Sequence, residues 1–142
     1  MAVSGALARA EAVLLPGTAQ GPLLRLGKPI SFWGGVDPWT GRITDPRHPD
    51  HDKVIGGTIL ALPGTIGSSS SSAVMLELLA GGRAPAALLL AEPDAILTLG
   101  IVVGREMGYA GIPVLRLSAE AQRALPQGGA LAIGPDGTIS PA

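Results

Sequence analysis

The chain has 142 residues, no Cys, and 10 Lys and Arg against 11 Asp and Glu for a net charge of -1. This length suits one domain with a real hydrophobic core, and a near-neutral charge with scattered basic residues argues against nucleic acid or an anionic membrane as a partner. The absence of Cys excludes disulfides, thiolate nucleophiles and Cys-ligated metal or iron–sulfur centres from this chain.

The first half of the chain predicts short strands. Hydrophobic residues make up 46% of the sequence but aromatic residues only 3%, which predicts a core of small aliphatic side chains. The 21 Gly and 13 Pro predict frequent turns. Apolar runs between Gly and Pro breaks predict strands at residues 12–15, 23–26, 30–33 and 58–62. The last run is continuously apolar, which is typical of a strand buried on both faces.

Strands and helices alternate in the second half of the chain. Residues 72–79 have a helical pattern, and the glycines at 81 and 82 are expected to end this helix in the left-handed conformation. A strand at 86–90 follows, and residues 93–97 are expected to open a second short helix. The remaining elements are a strand at 112–117, a helix at 119–125, a strand at 130–133 and a turn at 135–137. We therefore expect one compact mixed α/β domain over residues 1–142, without an internal linker.

The N-terminal segment does not read as a targeting signal. It is apolar, but it lacks a basic leading segment and Glu11 interrupts it early. No apolar run in the sequence approaches the ~20 residues needed to span a bilayer. These features predict a cytoplasmic protein.

Five consecutive serines, residues 68–72, lie where a loop becomes a helix. One interpretation is a helix cap, which is worth about 1 kcal/mol and requires a single hydroxyl. The other is a ligand site, because a helix N-terminus offers unpaired amides and a positive dipole end to a carboxylate or phosphate. Gly67 beside Ser68 also permits close backbone approach by a ligand. We expect a site that binds an anion or activates an oxygen.

A second cluster, residues 31–42, contains both Trp residues and the only Phe. It can be interpreted as a strand that ends in a turn with an aromatic plug. It can also be interpreted functionally, because Gly34 and Gly35 expose backbone amides while Asp37 and Arg42 are able to fix a polar ligand or each other. Both interpretations stay open at this stage.

Two pairs of polar residues are weaker candidates. His48 and His51 lie among carboxylates, but two prolines argue against a regular helix, so a solvated or partner-facing loop is preferred over a metal site. Glu92 and Asp94 have the composition of an acid/base pair. Capping of the following helix by one of them is the preferred interpretation.

Four motifs together resemble the small subunit of the aconitase X family, over roughly residues 10–135. They are Ser-Phe-Trp-Gly-Gly-Val-Asp-Pro within residues 29–43, Gly-Ser-Ser-Ser-Ser-Ser-Ala-Val at 67–74, Ala-Pro-Ala-Ala at 84–87 and Glu-Pro-Asp-Ala-Ile-Leu at 92–97. The resemblance implies a swivelling β/β/α domain, a compact mixed sheet or barrel with flanking helices, that closes over a larger subunit. It also implies a hydro-lyase whose large subunit supplies the iron–sulfur cluster or metal ion, so this chain would bind no cofactor and be inactive alone.

The resemblance further implies roles for individual residues. It places the proton acceptor at Ser68, which removes the proton α to a carboxylate before the β-hydroxyl is lost. An alkoxide is a costly base near neutral pH, so its charge requires pre-aimed amides and a helix dipole. The substrate-binding residues expected around it are Gly34, Gly35, Gly67, Ser69 and Ser70.

One departure from the family pattern concerns the residues before the serines. Many members carry Gly-Arg there, whereas this chain has Thr65 and Ile66. Without that cation a phosphorylated substrate is less favoured, and cis-3-hydroxy-L-proline is the preferred substrate among the small hydroxy acids. Phosphomevalonate dehydratase is the alternative, and a non-catalytic anion-binding or assembly module of the same fold is a third hypothesis.

Overall fold

A computed structural model describes residues 5–126 and 129–142, and within these residues eight strands form one sheet. In chain order the strands are Ala8–Arg9 (β1), Ala12–Leu15 (β2), Ala19–Arg25 (β3), Ile59–Leu62 (β4), Ala87–Leu90 (β5), Val114–Arg116 (β6), Ala130–Ile133 (β7) and Thr138–Pro141 (β8). The helices of the same residues are Phe32–Gly35 (α1), Ser71–Ala80 (α2), Ala95–Glu106 (α3) and Ala119–Ala124 (α4).

The sheet is mixed and has the spatial order β1-β8-β7-β3-β4-β5-β6-β2. Strands β3, β4, β5 and β6 are parallel neighbours, whereas the strands on either side of them pair antiparallel. Every residue of β4 and β5 is buried, because both faces of the parallel centre are covered. The predicted fold class, a compact mixed α/β sheet with flanking helices, is confirmed.

Two clusters of buried apolar residues lie on the two faces of the parallel strands. Successive residues of a strand point to opposite faces, so Leu60 and Leu62 join one cluster while Ile59 and Ala61 join the other. Helices α2 and α3 cover the first cluster, and α4 with β7 and β8 covers the second. This layering places α2 and α3 side by side on one face.

Glycines in α3 allow it to pack closely against α2. A Cβ built on Gly100 would lie 2.8 Å from the carbonyl oxygen of Ser72, and one built on Gly104 would lie 2.8 Å from Cδ1 of Leu79. Such distances are far inside van der Waals contact, so the two helices approach this closely only because these residues lack side chains. Since Ser72 belongs to the first turn of α2, Gly100 fixes the position of that turn.

A single buried amide joins the ends of three parallel strands. Gln122 of α4 is 2% exposed, and its Nε2 donates to the carbonyl oxygens of Leu62 and Leu117 at 2.9 Å and of Leu89 at 3.2 Å. These carbonyls lie in or next to β4, β5 and β6, so α4 is attached to the edge of the sheet where the parallel strands end.

The predicted strand at residues 30–33 is wrong. Ile30 pairs with Thr65 through an isolated parallel bridge, and a kinked helical turn follows at Phe32–Gly35. Gly34 has a φ of 81°, which turns the chain away from an extended path. Phe32 is buried in the first cluster, whereas Trp33 and Trp39 are exposed. The aromatic plug is therefore Phe32 alone.

The short helix predicted to open within residues 93–97 does begin there, at Ala95, but it is longer than expected. It runs from Ala95 to Glu106 and buries Leu97, Gly100, Ile101 and Gly104, which lie on one face of the helix.

Helix α2 ends near the predicted position, but of the two glycines expected to end it only Gly82 is left-handed, with φ of 69°. None of the helices in residues 5–126 and 129–142 is long and apolar enough to cross a membrane.

Candidate active site

The loop that carries the serines lies beside the start of α3. It connects β4 to α2, and the loop that precedes α3 follows β5, the parallel neighbour of β4. The hydroxyl of Thr65 donates to Oδ2 of Asp94 at 2.5 Å. Oδ1 of Asp94 accepts from the amides of Ile96 and Leu97, so Asp94 caps α3 as expected. Both oxygens of this carboxylate are occupied, which does not favour an acid/base pair with the exposed Glu92.

The two segments selected from the sequence lie next to each other. The amide of Ile66 donates to the carbonyl oxygen of Ile30 at 3.0 Å, and this contact aligns residues 31–35 with residues 65–70. Thr44 binds the backbone of the glycine pair. Its amide donates to the carbonyl oxygen of Gly35 at 2.9 Å, and its hydroxyl donates to the carbonyl oxygen of Gly34 at 3.3 Å.

The glycines of the pair differ in their surroundings. Gly34 is exposed, and a Cβ built on it would meet no atom within 4 Å. Gly35 is buried, and a Cβ there would lie 3.0 Å from Cγ1 of Ile30. Of the two predicted substrate-binding glycines, only Gly34 is therefore open to a ligand, while Gly35 packs against Ile30.

Ser68 lies at the N-terminus of α2 and acts on its backbone. Ser70 is the N-cap of the helix but makes no side-chain capping bond. Instead, Oγ of Ser68 accepts from the amide of Ser70 at 3.2 Å, and the hydroxyl of Ser72 donates to the carbonyl oxygen of Ser69 at 3.2 Å. An N–H that donates to Oγ stabilises negative charge on that oxygen, and so does the positive end of the helix dipole.

The backbone before α2 is open to a ligand. A Cβ built on Gly67 would meet no atom within 4 Å, so no contact inside the chain explains the glycine. No group in the described part of the chain accepts a hydrogen bond from the amides of Gly67, Ser68 or Ser69. Gly67 and Ser69 are exposed, and Ser68 and Ser70 are half-buried. This loop therefore offers donors that an anion is able to use.

A cavity of about 340 Å³ lies between the loop after β3 and the first turns of α2. It is lined by Trp33, Gly34, Val36, Asp37, Pro38, Thr44 and Val74. Val74 follows Ser70 by one helical turn, about 6 Å along the axis, so this wall of the cavity lies one turn beyond the serine loop, and residues 65–70 are not among its lining. The site thus combines a polar loop with a mostly apolar cavity.

Asp37 and Arg42 do not form an ion pair. Arg42 Nη1 lies 3.5 Å from Oδ1 of Asp52, while Oδ1 of Asp37 accepts from the amide of Trp39 at 2.9 Å. The two residues are joined only through their backbones, by a bond from the amide of Asp37 to the carbonyl oxygen of Arg42. Of the two functions considered for these side chains, mutual pairing is excluded.

The two histidines have different surroundings. His48 is buried, accepts from the amide of Asp50 through Nδ1 at 3.0 Å, and has Nε2 at 3.0 Å from the carbonyl oxygen of Lys28. An Nδ1 that accepts from this amide leaves Nε2 to donate to the Lys28 carbonyl oxygen. A solvated loop is therefore the wrong interpretation for His48, whereas His51 is exposed and lies 3.5 Å from Asp52.

The described residues do not provide a metal site. Across residues 5–126 and 129–142 no group of three or more His, Asp or Glu side chains is arranged to hold an ion. The chain also has no Cys for an iron–sulfur cluster. Among the described residues the donor set does not fit either group.

Asp50 fastens the histidine loop to the end of β3. Burial alone would raise the pKa of its carboxyl group, but a hydrogen bond from Lys53 Nζ at 2.8 Å and one from the amide of Gly27 at 2.9 Å outweigh it. The pKa of Asp50 is therefore lowered from its ordinary value of 3.8. A buried, ionised carboxylate holds this loop in place at neutral pH.

Sequence reasoning missed Thr65 and Thr44, which position the two halves of the site. Thr65 acts through a contact with Asp94, 29 positions later in the chain, and Thr44 acts through contacts with Gly34 and Gly35 in the preceding loop. No local pattern marks such a residue. The polar character of both side chains was the only signal available.

The fold is a mixed α/β domain, and its candidate site lies where parallel strands end, a common position for ligands in such sheets. The sequence pattern of the aconitase X swivel domain matches residues 8–140. The chain belongs to this family, and the resemblance drawn from its motifs is confirmed.

Relatives of the chain are dehydratases. Cis-3-hydroxy-L-proline dehydratase of Pseudomonas aeruginosa is 48% identical over 101 residues, which cover 71% of this chain and 17% of that protein. Phosphomevalonate dehydratase small subunit of Methanothermobacter thermautotrophicus is 37% identical over 108 residues, 76% of this chain and 78% of that one. The crystal structure of Thermococcus kodakaraensis aconitase X (holo-form) matches with a TM-score of 0.78 at 28% identity, over 92% of this chain and 94% of the other.

The lengths of these relatives differ greatly. The chain spans less than a fifth of the Pseudomonas enzyme but most of the Methanothermobacter small subunit. The same domain therefore occurs within a long polypeptide and as a separate subunit. The expectation that the chain is related to hydro-lyases is confirmed by both.

Proposed function

We propose that this chain is the small subunit of a heteromeric dehydratase that acts on cis-3-hydroxy-L-proline. The observation that carries the proposal is the position of Ser68 Oγ, which accepts from the Ser70 amide at the N-terminus of α2 beside three amides without a partner in the described chain. The 48% identity with a dehydratase of that substrate supports the choice of substrate.

Ser68 is the proposed proton acceptor. The proton on the substrate carbon next to the carboxylate passes to the deprotonated Oγ, and the C–H electron pair forms a carbon–carbon double bond as the C–O bond to the β-hydroxyl breaks. The proton taken by Oγ then passes to the departing hydroxide, which leaves as water. The Ser70 amide and the helix dipole stabilise negative charge on Oγ before the transfer. We place the metal ion or iron–sulfur cluster of the enzyme in the large subunit, where it supplies Lewis acidity.

The substrate carboxylate is proposed to bind at the start of α2. Gly67 leaves room for it, and the amides of Ser68 and Ser69 supply donors. The hydroxyls of Ser69 and Ser70 are further donors in this proposal, and Gly34 forms the facing wall. Gly35 contributes by its packing on Ile30, which sets the position of Gly34.

The large aconitase X-type subunit is the proposed partner. Trp33 and Ile66, which flank the site, are 60% and 58% exposed. Large apolar side chains with this exposure around a polar site are suited to an interface that buries them. The name of the Methanothermobacter relative, a small subunit, supports a second polypeptide.

Reconstitution with the large subunit tests the proposal. The complex is expected to dehydrate cis-3-hydroxy-L-proline, and Ser68→Ala is expected to lower kcat by about a thousandfold or more while the two subunits still co-elute. Ser72→Ala is the matched control, because the one hydrogen bond that its hydroxyl makes to the described residues is to the carbonyl oxygen of Ser69. Full activity of the Ser68→Ala complex would remove Ser68 from the mechanism.

Phosphomevalonate is the alternative substrate. It is favoured by the Methanothermobacter relative, of which this chain covers 78%. It is disfavoured by Ile66, an exposed apolar residue where a cation would assist a phosphate group. Assays of both substrates with one reconstituted complex decide between them. Carboxylate binding by the chain with no turnover in any complex would support the third hypothesis, a non-catalytic module.

A further inference from the structure

We propose that the cavity beside the serine loop holds the ring of the substrate and that Asp37 pairs with its ring ammonium group. This inference rests on the proposed function and deepens it, because it names the contact that selects a cyclic amino acid. The cavity is defined here by Trp33, Gly34, Val36, Asp37, Pro38, Thr44 and Val74.

The walls of the cavity suit a small apolar ring. Trp33, Val36, Pro38 and Val74 line it, and its volume of about 340 Å³ is near the lower end of the range of roughly 300–1,000 Å³ for small-molecule pockets. Trp33 is exposed and presents a large flat face. An aliphatic five-membered ring loses unfavourable contact with water when it packs against such surfaces.

The charge of the cavity favours a cation. Asp37 is the one ionisable residue among those that line it in the described part of the chain. One of its oxygens accepts from the Trp39 amide, and no Lys, Arg or His among the described residues forms an ion pair with it. Arg42, five residues later, is paired with Asp52 instead. The other oxygen of the half-buried Asp37 carboxylate has no hydrogen-bond partner among the described residues, so it is able to accept from an ammonium group.

The position of the cavity matches the arrangement of charges in a cyclic amino acid. Proline-type substrates carry the carboxylate on the carbon that is bonded to the ring nitrogen. The serine loop ends at the first turn of α2, and Val74, which lines the cavity that also contains Asp37, lies one turn after Ser70 on the same helix. With the carboxylate at the loop and the ammonium at Asp37, the carbon that loses its proton lies between them, near Ser68.

The same arrangement disfavours a phosphorylated acid. A phosphate in the cavity would face the carboxylate of Asp37, and two like charges at close range repel. Among the residues that line the cavity, none in the described chain is cationic. Selection thus combines an attractive contact for the ammonium with repulsion of a second anion.

A pair of inhibitors that differ in one ring atom tests the proposal. L-Proline carries the ring ammonium, and (S)-tetrahydrofuran-2-carboxylate replaces it with a neutral oxygen. The reconstituted complex is expected to bind L-proline at least about tenfold more tightly, because a charge-assisted hydrogen bond is stronger than a neutral one. Asp37→Asn is expected to reduce this preference to about twofold or less and to raise KM for cis-3-hydroxy-L-proline far more than it changes kcat.

Two further variants separate charge from folding. Asp37→Ser removes the charge but keeps a side-chain acceptor for the Trp39 amide, so it is expected to lose the preference like Asp37→Asn. Asp45→Asn is the matched control, because Asp45 is half-buried like Asp37, its Oδ1 accepts from the amide two residues later, that of Arg47, at 2.9 Å, and it does not line the cavity. This control is expected to keep the inhibitor preference.

The outcomes distinguish this inference from the proposed function. Turnover of cis-3-hydroxy-L-proline with equal weakening of both inhibitors by Asp37→Asn would overturn the role of Asp37 and leave the function intact. Equal affinity of the unaltered complex for both inhibitors would do the same. A complex that neither turns over this substrate nor binds L-proline would overturn the function and the inference together.

Discussion

The hydroxyl of Thr65 donates a 2.5 Å hydrogen bond to Oδ2 of Asp94, whose other oxygen caps helix α3. One carboxylate thus joins the loop that carries the serines to the start of the neighbouring helix. Ser68 lies three residues after Thr65, so its position depends on this bond. The contact couples the stability of α3 to the geometry of the candidate active site.

Replacement of Asp94 or Thr65 tests this coupling. Asp94→Ala is expected to lower the free energy of unfolding by about 2 kcal/mol, because it removes the α3 cap and the bond to Thr65. Thr65→Val keeps the cap and is expected to cost about 1 kcal/mol in urea denaturation. In the reconstituted complex Thr65→Val is expected to lower kcat about tenfold, since a displaced base loses its alignment. A Thr65→Val complex with unaltered kcat would show that the bond does not position Ser68.

Gly100→Ala tests the close approach of α2 and α3. The added methyl group would lie 2.8 Å from the Ser72 carbonyl oxygen, so the helices must separate at a cost of about 1–3 kcal/mol. The expected change is a lower denaturation midpoint together with shifted amide resonances in residues 68–75. Leu99→Ala is the control, because Leu99 is exposed on the same helix and its loss is expected to cost about 0.5 kcal/mol or less. Equal stability of the two variants would contradict the packing argument.

Gln122→Leu tests the amide that joins the strand ends. It keeps the shape of the side chain but leaves the carbonyls of Leu62, Leu89 and Leu117 without this donor, at an expected cost of about 2–4 kcal/mol in the free energy of unfolding. Arg123→Ala, at an exposed neighbour in α4, is expected to change it by about 0.5 kcal/mol or less. A Gln122→Leu variant as stable as the parent would show that the buried amide is dispensable.

The stability of the chain is expected to depend on pH through Asp50. Its pKa is lowered in the folded state, so its contribution is present above the ordinary value of 3.8 and is lost as the pH falls through the folded value. Asp50→Asn is expected to be less stable than the parent at neutral pH. The difference between the two should shrink below the ordinary pKa, as measured by urea denaturation at a series of pH values. A difference that stays constant across this range would exclude a stabilising charge at Asp50.

Local patterns predicted the elements that depend on local forces. The strands around β4 and β5 and the helix after the serines were located to within about two residues, because continuous apolarity and a polar helix start act over a few residues. The length of α3 was missed for a different reason. Gly100 and Gly104 have low helix propensity, but their contact with α2 outweighs it. The strand predicted at residues 30–33 is wrong for a similar reason, because the positive φ of Gly34 and the bridge between Ile30 and Thr65 outweigh the apolar run.

By itself the sequence determined the family, the mixed α/β class and the serine loop at the start of α2, because motif identity and short-range periodicity are properties of neighbouring residues. Only the tertiary structure decided that residues 31–35 lie beside residues 65–70. The same is true of the hydrogen bond from Thr65 to Asp94 and of the pairing of Arg42 with Asp52 rather than with Asp37. The physical reason is that these contacts join segments far apart in the chain, whose distance is set by the packing of the sheet and α2 rather than by any local preference.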